Sequence, residues 1–225
     1  MESLAISKPS FFSLKYSTAI RVWHWLTFLF MTASIVTVLV ASTLFEDEHE
    51  GPRDKVHQPP TEQKGQGHHF DPSKLSPEQR VTFTYRHQVW DVHKYIGFGL
   101  CFLLLSRVLI EATRNKEERL IKRIHKAVSI PVNGKDEQQD KKHFLLVKKA
   151  YLVFYILFFL MAITGLIMAF DHTAFLKPVV GSAHQIHSFV QYLIYAYILA
   201  HIVGVVRADM NKQKGMVSAM INGGE

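Results

Sequence analysis

The run AYLVFYILFFLMAITGLIMAF, residues 150–170, decides the fold class because it contains no charged side chain. A helix of about 20 predominantly apolar residues is long enough to cross a bilayer. In hydrocarbon, the backbone N–H and C=O groups must bond within the segment, which favours a helix over irregular structure. We therefore predict a membrane-spanning helix over residues 150–170.

Three further apolar runs lie on either side of this segment, over about 22–45, 93–112 and 183–206. Any one of them could be a buried helix of a soluble protein. Four such runs in 225 residues, however, leave too little amphipathic sequence to cover them in water. The sequence therefore predicts an all-α integral membrane four-helix bundle, forming a single domain over 1–225.

The distribution of Lys and Arg between the runs predicts the orientation in the membrane. The 113–149 loop carries eleven of these residues. The 45–86 segment carries six, outweighed by eight acidic residues, and the 171–182 connection carries one. Because Lys- and Arg-rich loops stay in the cytoplasm, we predict that both termini and the basic 113–149 loop are cytoplasmic. The long 46–86 loop is then outside, and its composition indicates a largely irregular segment.

Charge and cysteine content exclude several classes of function. The formal net charge of +7 could suggest a nucleic-acid partner, but the basic residues flank apolar runs, which is the pattern of membrane insertion. The single cysteine, Cys101, excludes an intrachain disulfide and a cysteine-based metal cluster. The sequence has no Cys-x-x-Cys-His motif, so covalent haem attachment is excluded as well.

Four of the thirteen histidines lie at informative depths in the predicted spans, namely His24, His93, His187 and His201. Ionisable residues in a membrane are costly and usually functional. His187 and His201 are fourteen residues apart (201 − 187 = 14). This is close to four helical turns, so both share one helix face and lie about 21 Å apart in height. His184 is seventeen residues from His201 (201 − 184 = 17), which turns it about 100° away from that face.

The orientation places these histidines at two levels. His24 and His201 fall at the cytoplasmic level, and His93 and His187 at the outer level. Two axial imidazoles complete the coordination of a haem iron and leave no open position, which favours electron transfer. We therefore predict two b haems, with His24 and His201 as axial ligands of one and His93 and His187 of the other. Hydrogen-bonded packing is the alternative role for each histidine.

Two arginines are predicted to contribute to cofactor binding. Arg107 lies fourteen residues past His93 (107 − 93 = 14), on the same helix face and one haem level further in. It could bind a haem propionate or a quinone oxygen, or it could pair with Glu111 four residues on. Arg21 precedes His24 by one turn and would either bind a propionate or extend to the membrane surface.

With these residues, the chain resembles the prokaryotic dihaem cytochrome b family, which includes bacterial cytochrome b561, the cytochrome b subunit of Ni–Fe hydrogenases and the gamma subunit of formate dehydrogenase. The shared features are RVWHW (21–25), VHKYIGFG (92–99), a histidine-free third span and the His187/His201 pair. The resemblance implies electron exchange between a partner redox protein and membrane quinone. The long 46–86 loop departs from the compact stand-alone members and fits docking of a periplasmic partner.

The resulting hypothesis is a multi-pass cytochrome b of the bacterial inner membrane. It would pass electrons through two b haems between an extracytoplasmic redox subunit or carrier and the quinone pool, with quinone bound at the cytoplasmic haem. A stand-alone quinone-linked oxidoreductase of the cytochrome b561 type is the first alternative. A metal or proton transporter lined by histidines is the second, although the spans lack the carboxylates of proton relays apart from Glu111 at a helix end.

Overall fold

The computed structural model describes residues 16–44, 76–115, 119–132, 134–210 and 215–223. All regular secondary structure within these ranges is helical. The helices are α1 (Thr18–Leu44), α2 (Pro77–Thr113), α3 (Leu120–Ser129), α4 (Lys135–Ala169), α5 (Lys177–Met210) and α6 (Met216–Asn222). The predicted all-α class is confirmed.

Four of these helices, α1, α2, α4 and α5, are long and apolar enough to cross a membrane. Their mean hydropathy over the most apolar window is 2.0, 1.8, 2.6 and 1.8 in chain order. The protein therefore has the four apolar helices of a membrane four-helix bundle, as predicted. Only 11% of each window is buried, so most of the side chains in each span are available to lipid or to a bound group.

Two of the spanning helices begin well before their apolar runs. α2 begins at Pro77 and α4 at Lys135, in segments that we predicted as loops. The segment 46–86, which we expected to be largely irregular, is helical over residues 77–86, and residues 46–75 lie outside the described part of the chain. A helix satisfies its backbone hydrogen bonds internally in water as well as in lipid, so it can continue past the apolar run that hydropathy detects.

The basic segment after α2 contains a short helix that the apolar pattern did not reveal. α3 packs against α4 and buries Ala127 to 4% exposure. Lys141 of α4 donates from Nζ to the carbonyl oxygens of Val128 (2.8 Å) and Ile130 (2.7 Å) at the end of α3. These bonds satisfy carbonyl groups that a helix end leaves without an internal partner.

The last helix, α6, returns to the beginning of α1. Arg21 donates from Nη1 to the carbonyl oxygen of Ile221 (2.7 Å), and Trp25 donates from Nε1 to that of Met220 (3.2 Å). α6 ends at Gly223, which has φ +100°, a conformation that glycine adopts without strain. The two ends of the described chain are therefore bonded to each other.

The chain divides into two compact units. One consists of Met1–Thr27 with Leu100–Glu225, and the other of Phe28–Gly99. In the first unit, α4 and α5 form the most extensive helix pair. In the second, the ring of Phe30 on α1 occupies the space that a Cβ at Gly99 of α2 would need. The single domain over 1–225 stays a prediction.

Candidate functional site

His24 and His201 face each other in the first unit. Their ring centroids are 6.3 Å apart, with the ring planes inclined by 64°. Tyr197, one turn before His201 on α5, stacks against it with centroids 6.2 Å apart and planes within 5°. Trp25 lies edge-on to His24 with a centroid separation of 5.6 Å. The structure thus brings together the two histidines predicted at the cytoplasmic level, and aromatic neighbours orient both rings.

The spacing of this pair fits one metal atom between the rings. An imidazole nitrogen binds a metal at about 2.0 Å and lies roughly 1.1 Å from its ring centre, which puts two axial imidazoles roughly 6 to 6.5 Å apart, centre to centre. The 6.3 Å between His24 and His201 falls in this range. Rotation about the metal–nitrogen bonds leaves the angle between the rings free.

His93 of α2 is held by a hydroxyl group on α1 in the second unit. Its Nδ1 lies 2.9 Å from Oγ1 of Thr37. The Thr37 hydroxyl donates its proton to the carbonyl oxygen of Ser34 (2.7 Å). This contact fits the tautomer in which Nδ1 of His93 donates its N–H to Thr37 Oγ1. In that tautomer the lone pair is on Nε2, the nitrogen that would bind a metal.

His187 of α5 has the same arrangement within the first unit. Its Nδ1 lies 2.9 Å from Oγ1 of Thr164 on α4, a residue that is only 5% exposed. The Thr164 hydroxyl donates within its own helix, to the carbonyl oxygens of Leu160 (2.7 Å) and Met161 (3.2 Å). The neighbouring Gly165 gives the imidazole room, since a Cβ there would lie 3.4 Å from Cε1 of His187. The contact likewise fits the tautomer in which Nε2 of His187 carries the lone pair.

The structure distinguishes His187 from the histidine one turn before it. His184 is exposed, whereas His187 is partly buried and bonded to Thr164. The fourteen-residue spacing thus selects the histidine that faces α4. Its role as an iron ligand stays a prediction.

Arg107 lies beside α1 at the depth of His24, and it has partners of its own. Its Nη1 is 3.1 Å from Oε2 of Glu111, and its Nε donates to the hydroxyl of Tyr155 (2.9 Å). The guanidinium carbon is 5.7 Å from the centre of the Trp23 ring. The ion pair with Glu111, one of the two alternatives from the sequence, is therefore present. Binding of a propionate or quinone by Arg107 stays a prediction.

Two buried polar atoms near His24 have no hydrogen-bond partner among the described residues. They are Nε of Arg21 and Oγ1 of Thr27, each three residues from His24 on α1. The outer nitrogens of Arg21 are already used by Ile221 and by Thr18 Oγ1 (3.3 Å). A buried donor without a partner is costly, so these two atoms suit a bound polar group beside His24. Thr27 was not among the predicted site residues.

In the described residues, the candidate metal-binding histidines do not form a larger ligand cluster. No group of three or more His, Cys, Asp or Glu side chains that could hold a metal ion occurs in that part of the chain. Two nitrogens alone are too few for a metal site made only of protein ligands, which for zinc needs three or four. They are sufficient for a group such as haem, whose porphyrin supplies the four equatorial nitrogens itself.

Comparison with known proteins agrees with this chemistry. The family model for prokaryotic cytochrome b561 matches residues 15–223. The chain belongs to the prokaryotic cytochrome b561 family. This cytochrome b561 family member is therefore a multi-pass membrane protein that acts in electron transfer with b-type haem. The resemblance seen in the sequence is confirmed. No curated protein and no solved structure matches the chain.

Proposed function

We propose that this cytochrome carries two b haems, one near each membrane surface, and passes electrons between an extracytoplasmic redox partner and the quinone pool. The observation that carries the proposal is the 6.3 Å separation of the His24 and His201 rings, which fits axial ligation of one iron. Haem supplies a reversible one-electron couple when bound. His24 and His201 would hold the iron from both sides, so that no position would remain open for a substrate.

The second haem is proposed between His93 and His187. Their Nδ1 atoms each lie 2.9 Å from a threonine hydroxyl, and in the proposed scheme Nε2 of each ring binds the iron. Along α5, His187 is fourteen residues from His201, a rise of about 21 Å. In the sequence, His93 is likewise fourteen residues from Arg107, whose guanidinium carbon lies 5.7 Å from the centre of the Trp23 ring, next to His24 in the chain. These equal spacings in the sequence support the proposal that His93 and His187 have the same depth.

Quinone is proposed to react at the cytoplasmic level. Arg107 and Tyr155 form a polar network there with Glu111, whose other carboxylate oxygen accepts the N–H of Leu120 (2.6 Å). A cation stabilises charge that develops on a quinone oxygen during reduction, and the Tyr155 hydroxyl is a proton donor at the same depth. Electrons from an outer partner would then cross both haems before they reach quinone.

Haem content of single variants tests the ligand scheme. The purified wild-type protein should contain two haems per chain. His24→Ala and His201→Ala should each lose one haem. Both variants should lack the contribution of the same haem to the reduced-minus-oxidised absorption spectrum. His93→Ala and His187→Ala should each lose the other haem. His184→Ala is the matched control and should keep both; retention of two haems after His187→Ala would contradict the scheme.

A second experiment separates an electron-transfer subunit from a stand-alone oxidoreductase. A redox partner that co-purifies in stoichiometric amount from native membranes, and that reduces the haems, would support the subunit role. Quinone-linked turnover of a small molecule by the isolated chain, without such a partner, would support the alternative and overturn the subunit role.

A further inference from the structure

We propose that Thr37 and Thr164 are positioning residues that tune the outer haem. They accept the Nδ1–H groups of His93 and His187, increase the electron donation of both ligands to iron, and thereby lower the reduction potential of that haem relative to the cytoplasmic one. The inference rests on the proposed function, because it takes His93 and His187 as the two ligands of one haem.

The two contacts have the same geometry in separate units of the chain. In each, a threonine Oγ1 lies 2.9 Å from the Nδ1 of a histidine on the next spanning helix. In each, the threonine hydroxyl is also 2.7 Å from a carbonyl oxygen three or four residues earlier in its own helix. The arrangement places Thr37 of α1 on His93 of α2, and Thr164 of α4 on His187 of α5.

The proposed ligation of iron through Nε2 decides the direction of the bond to histidine. With Nε2 on iron, Nδ1 would carry the ring proton and donate it to the threonine oxygen. A hydroxyl has a single proton, which Thr37 would then donate to the Ser34 carbonyl oxygen. Thr164 would donate in the same way to Leu160.

An accepted hydrogen bond changes the histidine as a ligand. Drawing the Nδ1 proton toward an acceptor makes the other nitrogen more basic, as is general for metal-binding histidines with a second hydrogen-bond partner. A more basic axial ligand stabilises ferric over ferrous iron, so the potential of the haem falls. With both ligands of one haem affected, the two contributions act in the same direction.

In the described part of the chain, the two cytoplasmic histidines have no such contact with a hydroxyl group. Among the residues that the structure describes, the ring nitrogens of His24 and His201 have no hydrogen-bond partner; their ring contacts are aromatic. The threonines therefore separate the two haems chemically, by lowering the potential of the outer one only. Electron transfer from the outer to the cytoplasmic haem becomes more favourable, in the direction that the proposed function requires.

The same contacts give a role to α4, which carries no histidine in its apolar part. α4 supplies Thr164, just as α1 supplies Thr37, so each outer histidine is oriented by the spanning helix that precedes its own. Thr164 is the more deeply enclosed partner, at 5% exposure, and Gly165 beside it leaves space for the ring.

The test is a redox titration of the purified holoprotein, followed through the absorbance of each haem, together with the electron paramagnetic resonance of the ferric state. Thr37→Val and Thr164→Val keep the side-chain shape and remove the acceptor. Each variant should raise the reduction potential of the same haem by up to about 59 mV, which is a tenfold change in its one-electron reduction equilibrium constant. The ferric signal of that haem should change, and the other haem should not respond.

Two sets of controls keep the result specific. Thr37→Ser and Thr164→Ser retain the acceptor and should have wild-type potentials. Thr43→Val removes a hydroxyl of α1 that bonds the Leu39 carbonyl oxygen (2.7 Å), and it should change neither potential. If a valine variant loses its haem, retention of that haem by the serine variant supports the proposal, and loss in both overturns it.

Unchanged potentials and ferric signals in both valine variants, with full haem content, would also overturn the inference. This failure is distinct from failure of the proposed function. The proposed function fails if the wild-type protein does not bind two haems, or if His93→Ala and His187→Ala do not remove the same one. If those results hold and the threonine variants are silent, only the inference is wrong.

Discussion

Arg107 illustrates how a spanning helix accommodates a full charge. Its side chain is only 13% exposed, and that of Glu111 is 26% exposed. Placing an arginine at the centre of a spanning helix costs about 2.5–3.5 kcal/mol on insertion scales. The carboxylate one turn later and the hydroxyl of Tyr155 offset this cost, and the ring of Trp23 lies within cation–π distance.

Glu111→Gln should therefore destabilise the protein, because it leaves the Arg107 guanidinium without a counter-charge. We expect a loss of about 1–3 kcal/mol, the cost of leaving a partly buried charge-assisted hydrogen bond without its partner. Thermal unfolding in detergent measures it. Asp91→Asn is the control, since the Asp91–Lys94 pair is 56% and 50% exposed. Removal of that exposed pair should cost less than about 1 kcal/mol. An equal effect of the two variants would contradict the role of burial.

Arg107→Leu tests the proposed contact with quinone at the same residue. Both haems should remain bound and reducible by dithionite, but their reoxidation by added quinone should be slower because the cation near the quinone oxygen is gone. Stopped-flow absorbance of the haems measures the rate. Loss of the cytoplasmic haem would instead assign Arg107 to a propionate, and unchanged kinetics would remove it from the quinone site.

At the scale of helices, the sequence predicted the spans well and their ends poorly. Hydropathy identifies the part of a helix that lies in lipid, so α2 was predicted sixteen residues too short at its start (93 − 77 = 16). α3 and α6 were missed because each is short and carries no long apolar run. Two features could have suggested them: the amphipathic pattern LIKRIHKAVS for α3, and Gly215 and Gly223 on either side of α6.

The sequence predicted that His24 and His201 lie at one level, because residue spacing along a helix gives depth, and their rings do face each other. It did not predict the threonine partners of His93 and His187. A hydroxyl in a spanning helix ordinarily bonds a carbonyl oxygen of its own helix, as Thr43 does. Thr37 and Thr164 make the same local bond, so nothing in the local sequence separates them from Thr43. The second contact depends on the rotation of the neighbouring helix, which only the structure gives.

Close packing of α1 and α2 depends on Gly99. A Cβ at this position would collide with the ring of Phe30, so Gly99→Ala forces the ring to move. We expect a loss of about 1–3 kcal/mol in thermal unfolding, as for other overpacked sites. Phe30→Leu should recover part of this loss in the double variant. Gly181→Ala, where the added Cβ meets nothing within 4 Å, is the control. It should leave stability unchanged or slightly higher, and equal losses at both positions would contradict the packing argument.

At the scale of the whole molecule, the contact of α6 with the start of α1 places both described ends of the chain on one side of the membrane. The number of Lys and Arg residues in each loop predicts which side of the membrane this is. The eleven Lys and Arg residues of 113–149 favour the cytoplasm. A reporter that is active only outside the cytoplasm, fused after Glu225, should therefore be silent. A fusion after Ala174, in the connection between α4 and α5, is the control and should be active. Activity at Glu225 would invert the orientation and exchange the two haem levels.

The bond between Arg21 and Ile221 joins positions 200 residues apart. Arg21 is synthesised 200 residues before Ile221, so this bond can form only after Ile221 has been translated. The entropic cost of closing such a long loop grows only with the logarithm of its length, so the separation affects when the bond forms more than how much it stabilises the protein. The beginning of α1, the first described helix, therefore acquires these neighbours only after α6, the last described helix, has been made.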